Sequence, residues 1–477
     1  MCEIKAMKNL PYDEKSQDSI LQYALALTDK SLSEVIANKD IVQNLSNKGG
    51  FGQILEKYYF YKELDSASQP DFPYAALELK SSPVKKLKTK GELRAKERLV
   101  LNIINYNDLV NQSFTTSSFY KKNTQLLLVF YLHEKDVKVL DYVVKLVGIW
   151  NFPTEDLKVI EHDWNLIQQK VAAGEAHTLS EGDTFYLGAC TKGANARSMR
   201  EQPNSDIPAK QRAFSLKQGY VNHILAKMSG INDGSFGKIA SVPELEDNNL
   251  DIEKVVIGKI QPYYGKTPEE ISSILGIDFI TNAKSRFSIL AKALVREILG
   301  AGGKTHIEEF EKSDVEIKTI RLSENNLPCE DISFRAFSYE DLIKEEEWQE
   351  SEFHSFLEKK FLFIFFKYEN NTLLLDKALF WNMPYNDRLK AKEVWEHTKE
   401  LINLGKVVKE ITPNNIYKTY FSKKSDHRIV HIRPHARDKN DTFPLPTPDV
   451  FTGAQSYMKH SFWLNNSYVR DSIYSLN

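Results

Sequence analysis

The chain carries the same succession of short motifs twice. Five segments of the first half recur in the same order in the second half, which chance does not explain. The matched pairs are LTDKSLSEVIAN (27–38) with YYGKTPEEISSIL (263–275), NKGGF (47–51) with AKSRF (283–287), PDFPYAALELKSS (70–82) with EEFEKSDVEIKTI (308–320), DWNLIQQKVAAGEAHTL (163–179) with VWEHTKELINLGKVVKEI (394–411), and FSLKQGYV (214–221) with FWLNNSYV (462–469). A chain of 477 residues is long enough for two domains, so the repeat predicts two copies of one folding unit.

The composition between the copies indicates where they meet. Residues 229–249 are rich in Gly, Ser, Asn and acidic residues, as connecting segments are. We therefore predict a first domain at 1–230, a linker at 231–250 and a second domain at 251–477. Short apolar strands, RLVLNII (98–104) and TQLLLVFYL (124–132), precede a helical pattern around 155–173, which predicts a mixed α/β fold.

Several classes of protein are disfavoured by the composition. No apolar run reaches the roughly eighteen residues of a membrane helix, and the polar start MCEIKAMKNLPYDEK favours a cytoplasmic protein without a membrane partner. The 3 cysteines, Cys2, Cys190 and Cys329, form no CxxC, and the 11 histidines form no HExxH, so a zinc hydrolase is disfavoured. The GGFG segment (49–52) lacks the Lys-Ser/Thr of a nucleotide-binding loop, which disfavours an NTPase.

Three charged residues lie in or just before an otherwise apolar strand. Asp71 precedes the strand at 75–81, in which Glu78 and Lys80 share one face because strand side chains alternate. One interpretation is an edge strand whose Glu/Lys face is solvated. The other is a metal site, because Mg²⁺ binds through one or two carboxylates and a substrate phosphate, while a nearby Lys orients the attacking water or stabilises developing charge.

Two neighbouring segments fit the second interpretation. Glu56 lies on an amphipathic segment and could supply a third carboxylate, although a solvated helical Glu is the alternative. Residues 80–98 carry eight Lys or Arg against two Glu. This stretch is either a solvated loop or a strip that binds phosphates.

These motifs together resemble the mismatch-repair endonuclease MutH and its tandem-copy relatives, the type II restriction endonucleases that cut GATC. The resemblance rests on KGGFGQILE (48–56), DFPYAALELK (71–80), DWNLIQQKVAAGEAHTL (163–179), TKGANARSM (191–199) and RAFSLKQGYV (212–221), and the second copy extends it to nearly the whole chain. It implies two tandem restriction-endonuclease-like domains of the PD-(D/E)xK class, each a mixed central sheet flanked by helices. It also implies Mg²⁺-dependent cleavage of double-stranded DNA at GATC.

The resemblance assigns roles to individual residues. The implied catalytic residues are Glu56, Asp71, Glu78, Lys80 and Lys122, with Asp71 and Glu78 as the metal ligands. The implied DNA-binding residues are Lys48, Lys85, Lys86, Lys192, Ser215, Lys217, Arg433 and His435. Cys190 stands where MutH has an Arg, so not every guanine contact of the family carries over. Ser215 stands where the family has a bulky Tyr, so we expect adenine-methylated GATC to be cut.

The second copy departs from the catalytic pattern. Glu309 replaces Asp71, and Lys292 or Arg296, depending on the alignment, replaces Glu56. A cation in place of a ligand disfavours a bound Mg²⁺, whereas Arg433 and His435 remain in the matching basic loop. This copy is expected to bind DNA without cutting it.

The sequence thus predicts a type II restriction endonuclease with one catalytic copy. It is expected to be monomeric in solution, to pair into a homodimer on DNA and to act beside a protective methyltransferase. A strand-nicking repair endonuclease, and a non-catalytic DNA-binding protein that senses methylation, are the alternatives.

Overall fold

A computed structural model describes most of the chain. The described residues are 10–36, 50–63, 69–87, 92–193, 198–230, 236–239, 242–248, 251–276, 287–301, 304, 306–414 and 417–476. They form two compact units. Unit 1 comprises Met1–His177, Thr184–Phe236 and Glu308–Asp314, and unit 2 comprises Thr178–Asp183, Gly237–Ile307 and Val315–Asn477.

Helices and strands alternate along the described chain, which confirms the predicted mixed α/β class. The strands are β1 Glu78–Lys86, β2 Leu93–Ala95, β3 Leu99–Ile103, β4 Gln125–Leu132, β5 Val144–Asn151, β6 Leu187–Thr191, β7 Met199–Gln202, β8 Ser205–Lys210, β9 Arg212–Leu216, β10 Phe236–Gly237, β11 His306–Ile307, β12 Glu316–Leu322, β13 Ile332–Phe337, β14 Phe361–Glu369, β15 Thr372–Trp381, β16 Val408–Ile411, β17 Tyr417–Thr419, β18 Val430–Pro434, β19 Thr442–Pro444, β20 Ser456–Met458 and β21 His460–Leu464. The helices are α1 Gln17–Leu25, α2 Leu32–Val35, α3 Phe51–Ile54, α4 Tyr106–Leu109, α5 Ser118–Asn123, α6 Thr154–Ala172, α7 Gln218–Met228, α8 Val242–Asp247, α9 Ile252–Ile260, α10 Pro268–Leu275, α11 Phe287–Ile298, α12 Glu308–Ser313, α13 Tyr339–Lys344, α14 Glu352–Leu357, α15 Tyr385–Asn403 and α16 Asn466–Tyr468.

The larger sheet of unit 1 has the strand order β2-β1-β4-β5. Strand β1 runs parallel to β4, with Glu78 opposite Leu126, and β4 runs antiparallel to β5. The five consecutive residues from Leu126 to Phe130 are all buried, which is typical of a strand covered on both faces. The apolar strands predicted at 98–104 and 124–132 are therefore confirmed as β3 and β4.

A second sheet and a long helix complete the core of unit 1. The sheet has the order β3-β9-β6, and both pairings are antiparallel. Helix α6 contains the DWN motif: Trp164 is fully buried, and the carboxylate of Asp163 accepts bonds from the backbone N–H groups of Phe185, Tyr186 and Leu187. The start of β6 is thereby fixed to the middle of the helix.

Unit 2 repeats this arrangement of strands. Strand β12 runs parallel to β14, and β14 runs antiparallel to β15. The order β13-β21-β18, antiparallel throughout, corresponds to β3-β9-β6. Helices α6 and α15 are both 19 residues long and both follow a proline, and their buried tryptophans, Trp164 and Trp395, occupy the same position in each helix. The sequence repeat thus corresponds to a repeated topology.

The boundary between the units differs from a simple cut in the chain. The main division, between Phe236 and Gly237, falls within the predicted linker at 231–250. The segment 308–314 nevertheless packs with unit 1, and 178–183 packs with unit 2. Sequence offered no signal for these exchanged segments, because 308–314 lies inside a repeated motif and 178–183 begins at the end of another.

A buried ion cluster holds the segment 308–314 within unit 1. The Nζ of Lys312 lies 2.8 Å from an Asp156 carboxylate oxygen and 2.8 Å from Glu308 Oε1. Burial opposes the charged ammonium, but Asp156 and Glu308 outweigh it and raise the pKa of Lys312. The backbone also approaches closely here, because a Cβ at Gly219 would overlap the carbonyl oxygen of Glu311.

Helices that could cross a membrane are absent from the described ranges, because none is both long and apolar enough.

We predict that Lys312→Met destabilises unit 1 by about 3–5 kcal/mol, because it removes the ammonium from a buried carboxylate. Urea unfolding followed by tryptophan fluorescence measures the change. The matched control is Lys145→Met, since the Lys145 ammonium pairs with Asp29 near the surface. That variant should cost less than about 1 kcal/mol. Equal effects of the two substitutions would show that the Lys312 cluster is not a structural anchor.

Candidate active site

A tight hairpin brings Asp71 and Glu78 together. Phe72 and Leu77 exchange backbone hydrogen bonds of 3.0 and 3.2 Å, and Ala76 adopts a left-handed conformation with φ 51°. The backbone N–H of Asp71 donates to Glu78 Oε2 at 3.1 Å, and the N–H of Leu79 donates to Asp71 Oδ2 at 2.9 Å. Each carboxylate is therefore oriented by the backbone beside the other.

An amide side chain supports the hairpin from α1. The Nε2 of Gln17 donates to the carbonyl oxygen of Ala75 at 2.7 Å and to Gln125 Oε1 at 2.5 Å. Gln125 begins β4, so this contact ties the hairpin to the neighbouring strand. Sequence inspection missed Gln17, because nothing in the local pattern of α1 distinguishes it from a solvated helical residue.

Glu78 is buried between two lysines. Only 1% of its side chain is exposed, and its Oε1 accepts a hydrogen bond from Lys80 Nζ and lies 3.5 Å from Lys122 Nζ. Strand β1 pairs with β4 along Glu78–Val84 and with β2 only from Val84 to Lys86. Because the Glu78 side chain is nevertheless buried, the interpretation of its charged face as solvated is wrong.

Glu56 belongs to the same electrostatic group. It lies in a π-helical turn, Leu55–Tyr59, that follows α3. Burial, together with the negative charge of Asp71, raises the pKa of Glu56 to about 7, although Lys80 opposes the shift. Burial also raises the pKa of Glu78, against the effect of Lys80. A site that disfavours negative charge in this way favours the binding of a cation, which would stabilise both ionised carboxylates.

The donor set fits a hard divalent cation. Among the described residues, no three His, Cys, Asp or Glu side chains form a ready-made metal cage. Mg²⁺ does not require one, since it keeps several waters and binds through one or two carboxylates together with substrate phosphate oxygens. Asp71 and Glu78 provide two such carboxylates, and the structure brings Lys80 and Lys122 beside them.

Three of the residues predicted to contact DNA, Lys85, Lys86 and Lys192, are exposed. Lys85 and Lys86 are exposed at the end of β1, where the strand pairs with β2, so this part of the basic stretch is a strand rather than a loop. Lys192 is exposed just after β6. Lys48 lies outside the described residues.

Two predicted DNA contacts require correction. Lys217 is buried, and its ammonium donates to the carbonyl oxygens of Thr184 and Ser313, so its role is to hold the polypeptide rather than a phosphate. Ser215 is fully buried in the central strand β9 and does not present its hydroxyl to a ligand. The expectation that methylated adenine is tolerated stays a prediction.

The second copy keeps only part of the catalytic arrangement. Lys318 Nζ donates to Glu316 Oε1 at 2.6 Å, but the Glu316 side chain is 37% exposed. Glu309, aligned with Asp71, lies in helix α12, which packs in unit 1. Arg296 lies on α11, and the side chain of Lys292 is outside the described part of the chain.

The remaining predicted residues, Arg433 and His435, are exposed at the end of β18. Arg433 stacks on Trp463 and approaches Asp331, two residues that sequence inspection did not assign to a site. The repeat could have indicated Trp463, because FWL (462–464) is paired with FSL (214–216), which contains the predicted DNA contact Ser215. Asp331 lies in a segment with no matched motif.

We predict that Glu56 makes the stability of the metal-free protein depend on pH. Burial raises the pKa of Glu56 from its ordinary value of 4.5 to about 7, so the fold favours the neutral form. This contribution is fully present below pH ~4.5 and is lost as pH rises through ~7. In EDTA, thermal unfolding of the wild type should therefore lose more stability between pH 5 and 8 than that of Glu56→Gln. Glu134→Gln, at an exposed carboxylate, serves as the control, and parallel curves for all three proteins would contradict the prediction.

Comparison with known proteins places the chain in a family. A family model described as the DNA mismatch repair enzyme MutH matches residues 60–163, which include Asp71, Glu78, Lys80 and Lys122. The chain is 25% identical to the DNA mismatch repair protein MutH of Shewanella woodyi over 46% of this chain and 96% of that protein. For MutH of Buchnera aphidicola, the identity is 26% over 34% of this chain and 74% of that protein.

A longer match covers both units. The type II restriction enzyme Sau3AI of Staphylococcus aureus is 36% identical to the chain, over 94% of this chain and 96% of that protein. The mismatch-repair relatives match less than half of the chain, whereas this match includes the repeat. The resemblance inferred from the motifs is thereby confirmed, and the chain belongs to the MutH-like family of type II restriction enzymes.

Proposed function

We propose that the protein cuts both strands of DNA at GATC in a reaction that requires Mg²⁺, and that both units have the restriction-endonuclease-like fold. The observation that carries the proposal is the pairing of Asp71 and Glu78 in one hairpin, with Lys80 and Lys122 directed at the same carboxylate. The GATC site rests on the motifs shared with the family, and the choice of metal rests on the oxygen ligands.

In this proposal Asp71 and Glu78 hold the cation. When bound there, Mg²⁺ supplies positive charge that polarises the scissile phosphate and lowers the pKa of a nearby water. Lys80 lies on the same strand as Glu78 and orients the attacking water or stabilises the charge that develops on phosphate oxygens. Lys122 adds a second positive charge, and ionised Glu56 can accept a proton from water.

The DNA backbone is proposed to lie along the exposed cations of unit 1. Lys85 and Lys86 are exposed at the far end of the strand that carries Glu78, where they are available to bind phosphates. Lys192, at the end of β6, is available for direct readout of a base edge. The buried Lys217 and Ser215 are not part of this surface.

Unit 2 is proposed to bind a second GATC site without cutting it. The support is threefold: the Glu316–Lys318 pair is retained, Glu309, which is aligned with Asp71, lies in helix α12 of unit 1, and exposed cations lie near Arg433. Cleavage of a host genome at GATC requires protection, so a methyltransferase that modifies the same site is part of the proposal. A repair endonuclease that nicks one strand is the second candidate, because unit 1 resembles the mismatch-repair relatives.

We predict that Asp71→Ala and Glu78→Ala each abolish cleavage of a GATC plasmid in Mg²⁺, by at least about a thousandfold, while DNA binding remains. The binding surface is retained because these variants remove metal ligands and not the exposed lysines. Plasmid cleavage followed on agarose gels, with a gel shift in EDTA, measures both properties. Linear product from the wild type supports restriction, whereas nicked circles support the repair function. Near-normal cleavage by either variant refutes the assignment of these ligands.

We also predict that the protein, a monomer in solution, pairs on DNA and cuts a plasmid with two GATC sites faster than one with a single site. One catalytic unit cuts one strand, so cutting both strands of a palindromic site takes two chains related by two-fold symmetry. A second GATC site on the same DNA brings those two chains together. Light scattering and initial cleavage rates measure these properties. Arg433→Ala should remove the two-site preference without loss of one-site cleavage. Equal rates on both plasmids would disprove the role of unit 2.

A further inference from the structure

Helix α1 contacts the two segments that carry the acidic residues of the site. Gln17, its first residue, reaches the tip of the Asp71–Glu78 hairpin. Tyr23, near the other end of the helix, stacks on Tyr59 at a centroid distance of 4.5 Å, and each hydroxyl donates to the other residue's carbonyl oxygen, at 3.2 and 2.8 Å. Tyr59 belongs to the π-helical turn that contains Glu56. The helix thus provides a common base for the hairpin and for this turn.

Helix α1 is itself firmly placed. Ser16 caps its N-terminus by accepting a bond from the backbone N–H of Ser19 at 3.2 Å, and Ile20 and Ala24 are fully buried. Gln17 directly follows the cap and is half-buried. Its position therefore follows from the packing of the helix rather than from the hairpin that it contacts.

The contacted tip of the hairpin has an unfavourable backbone conformation. Ala76 has a φ of 51°, in the left-handed region that a residue with a Cβ disfavours. The carbonyl oxygen that accepts the Gln17 bond, at 2.7 Å, belongs to Ala75, so it lies in the peptide group directly before this residue. Because the bond limits rotation of that peptide group, it helps to hold the strained turn in place.

The same amide also contacts the strand beside the hairpin. Gln17 Nε2 lies 2.5 Å from Gln125 Oε1, and an amide nitrogen carries two hydrogens, one for each acceptor. Gln125 begins β4, and the next residue, Leu126, lies opposite Glu78 in the parallel pairing. Gln17 therefore fixes the tip of the hairpin relative to the strand that pairs with Glu78.

A single residue pair separates this tip from the proposed metal ligands. Phe72 and Leu77 exchange backbone hydrogen bonds, and Asp71 and Glu78 lie directly beyond them. Each carboxylate accepts a backbone N–H from the opposite arm of the hairpin, so a shift of one arm displaces both carboxylates. Mg²⁺ demands near-ideal octahedral geometry at short distances, so its affinity is sensitive to such displacements.

We propose that Gln17 is a positioning residue, whose amide holds the hairpin so that the Asp71 and Glu78 carboxylates are spaced to bind one divalent cation. The inference rests on the proposed function, in which these carboxylates hold Mg²⁺, and it assigns part of the cation affinity to a residue outside the ligand pair. A side chain that orients metal ligands typically changes the affinity for the metal by about 10- to 100-fold.

Cation binding to the full chain can be measured without DNA and without cleavage. Mn²⁺ accepts the oxygen ligands that suit Mg²⁺, and electron paramagnetic resonance of the free ion gives its dissociation constant. Asp71→Ala identifies the part of the binding that belongs to this site. Gln17→Met nearly keeps the side-chain length but removes both donors, so Mn²⁺ should bind on the order of tenfold to a hundredfold more weakly. Gln17→Asn keeps an amide that is too short to reach both acceptors, and it should weaken binding in the same direction with less disturbance of packing.

Gln168 provides a matched control. It is also a half-buried helical glutamine of unit 1, and its Nε2 donates to the backbone carbonyl oxygens of Leu109 at 2.9 Å and Gln112 at 2.6 Å. Gln168→Met should therefore lose stability in urea much as Gln17→Met does, yet leave the Mn²⁺ affinity unchanged. In plasmid cleavage, Gln17→Met should need correspondingly more Mg²⁺ for its half-maximal rate and should approach the wild-type rate in excess Mg²⁺, whereas Glu78→Ala should not.

The outcomes separate this inference from the proposed function. If Asp71→Ala binds Mn²⁺ as tightly as the wild type does, the proposed metal site is wrong, and this inference falls with it. If Asp71→Ala loses Mn²⁺ but both Gln17 variants bind it like the wild type, only the positioning role of Gln17 is overturned. Equal losses of affinity in Gln17→Met and Gln168→Met would also overturn that role, because a general loss of stability would explain both.

Discussion

The burial of the Glu78 carboxylate is the constraint on which the rest of unit 1 depends. A carboxylate with 1% of its surface exposed is costly unless charges and hydrogen bonds compensate it. Lys80 comes from the same strand, Lys122 from α5, and the backbone N–H of Asp71 from the hairpin. Three separate segments must therefore fold together before the charge is tolerated. In the same arrangement, burial and the nearby Asp71 carboxylate raise the pKa of Glu56, so a bound cation would stabilise its ionised form.

Unit 2 keeps the strand order of unit 1 without a fully buried carboxylate at the position of Glu78. Strands β12, β14 and β15 reproduce β1, β4 and β5, yet Glu316 is 37% exposed, so water as well as Lys318 and Lys359 offsets its charge. Glu309 lies in helix α12 within unit 1, where Lys312, Asp156 and Glu308 form a structural ion cluster. A sheet can thus keep its strand order after the charged hairpin has gone, because apolar burial in β14, rather than the site, stabilises it.

Sequence reasoning succeeded where one local pattern determines the outcome. The apolar run of β4 and the equal tryptophan positions in α6 and α15 each predicted an observed element, and the alternation predicted a strand at 75–81, of which residues 78–81 belong to β1. It failed where burial depends on distant partners. The resemblance implied that Lys217 binds DNA, but its ammonium donates to the carbonyl oxygens of Thr184 and of Ser313, which lies almost a hundred residues away. Neither the exchange of 308–314 nor the contact of Asp331 with Arg433 has a local signature, because each is defined by tertiary contacts alone.

In the proposed function, the two copies divide the work: unit 1 cuts DNA and unit 2 binds it. Unit 1 has the paired carboxylates but a buried thiol at Cys190, whereas unit 2 has Arg433 on Trp463 but no hairpin carboxylate aligned with Asp71. A catalytic unit that bound its site too tightly would gain nothing in rate, since only interactions strengthened in the transition state accelerate cleavage. A second unit has no such limit, so affinity placed there raises the local concentration of a site without slowing the reaction. In the proposed function, unit 2 therefore holds DNA without needing the hairpin carboxylates of unit 1.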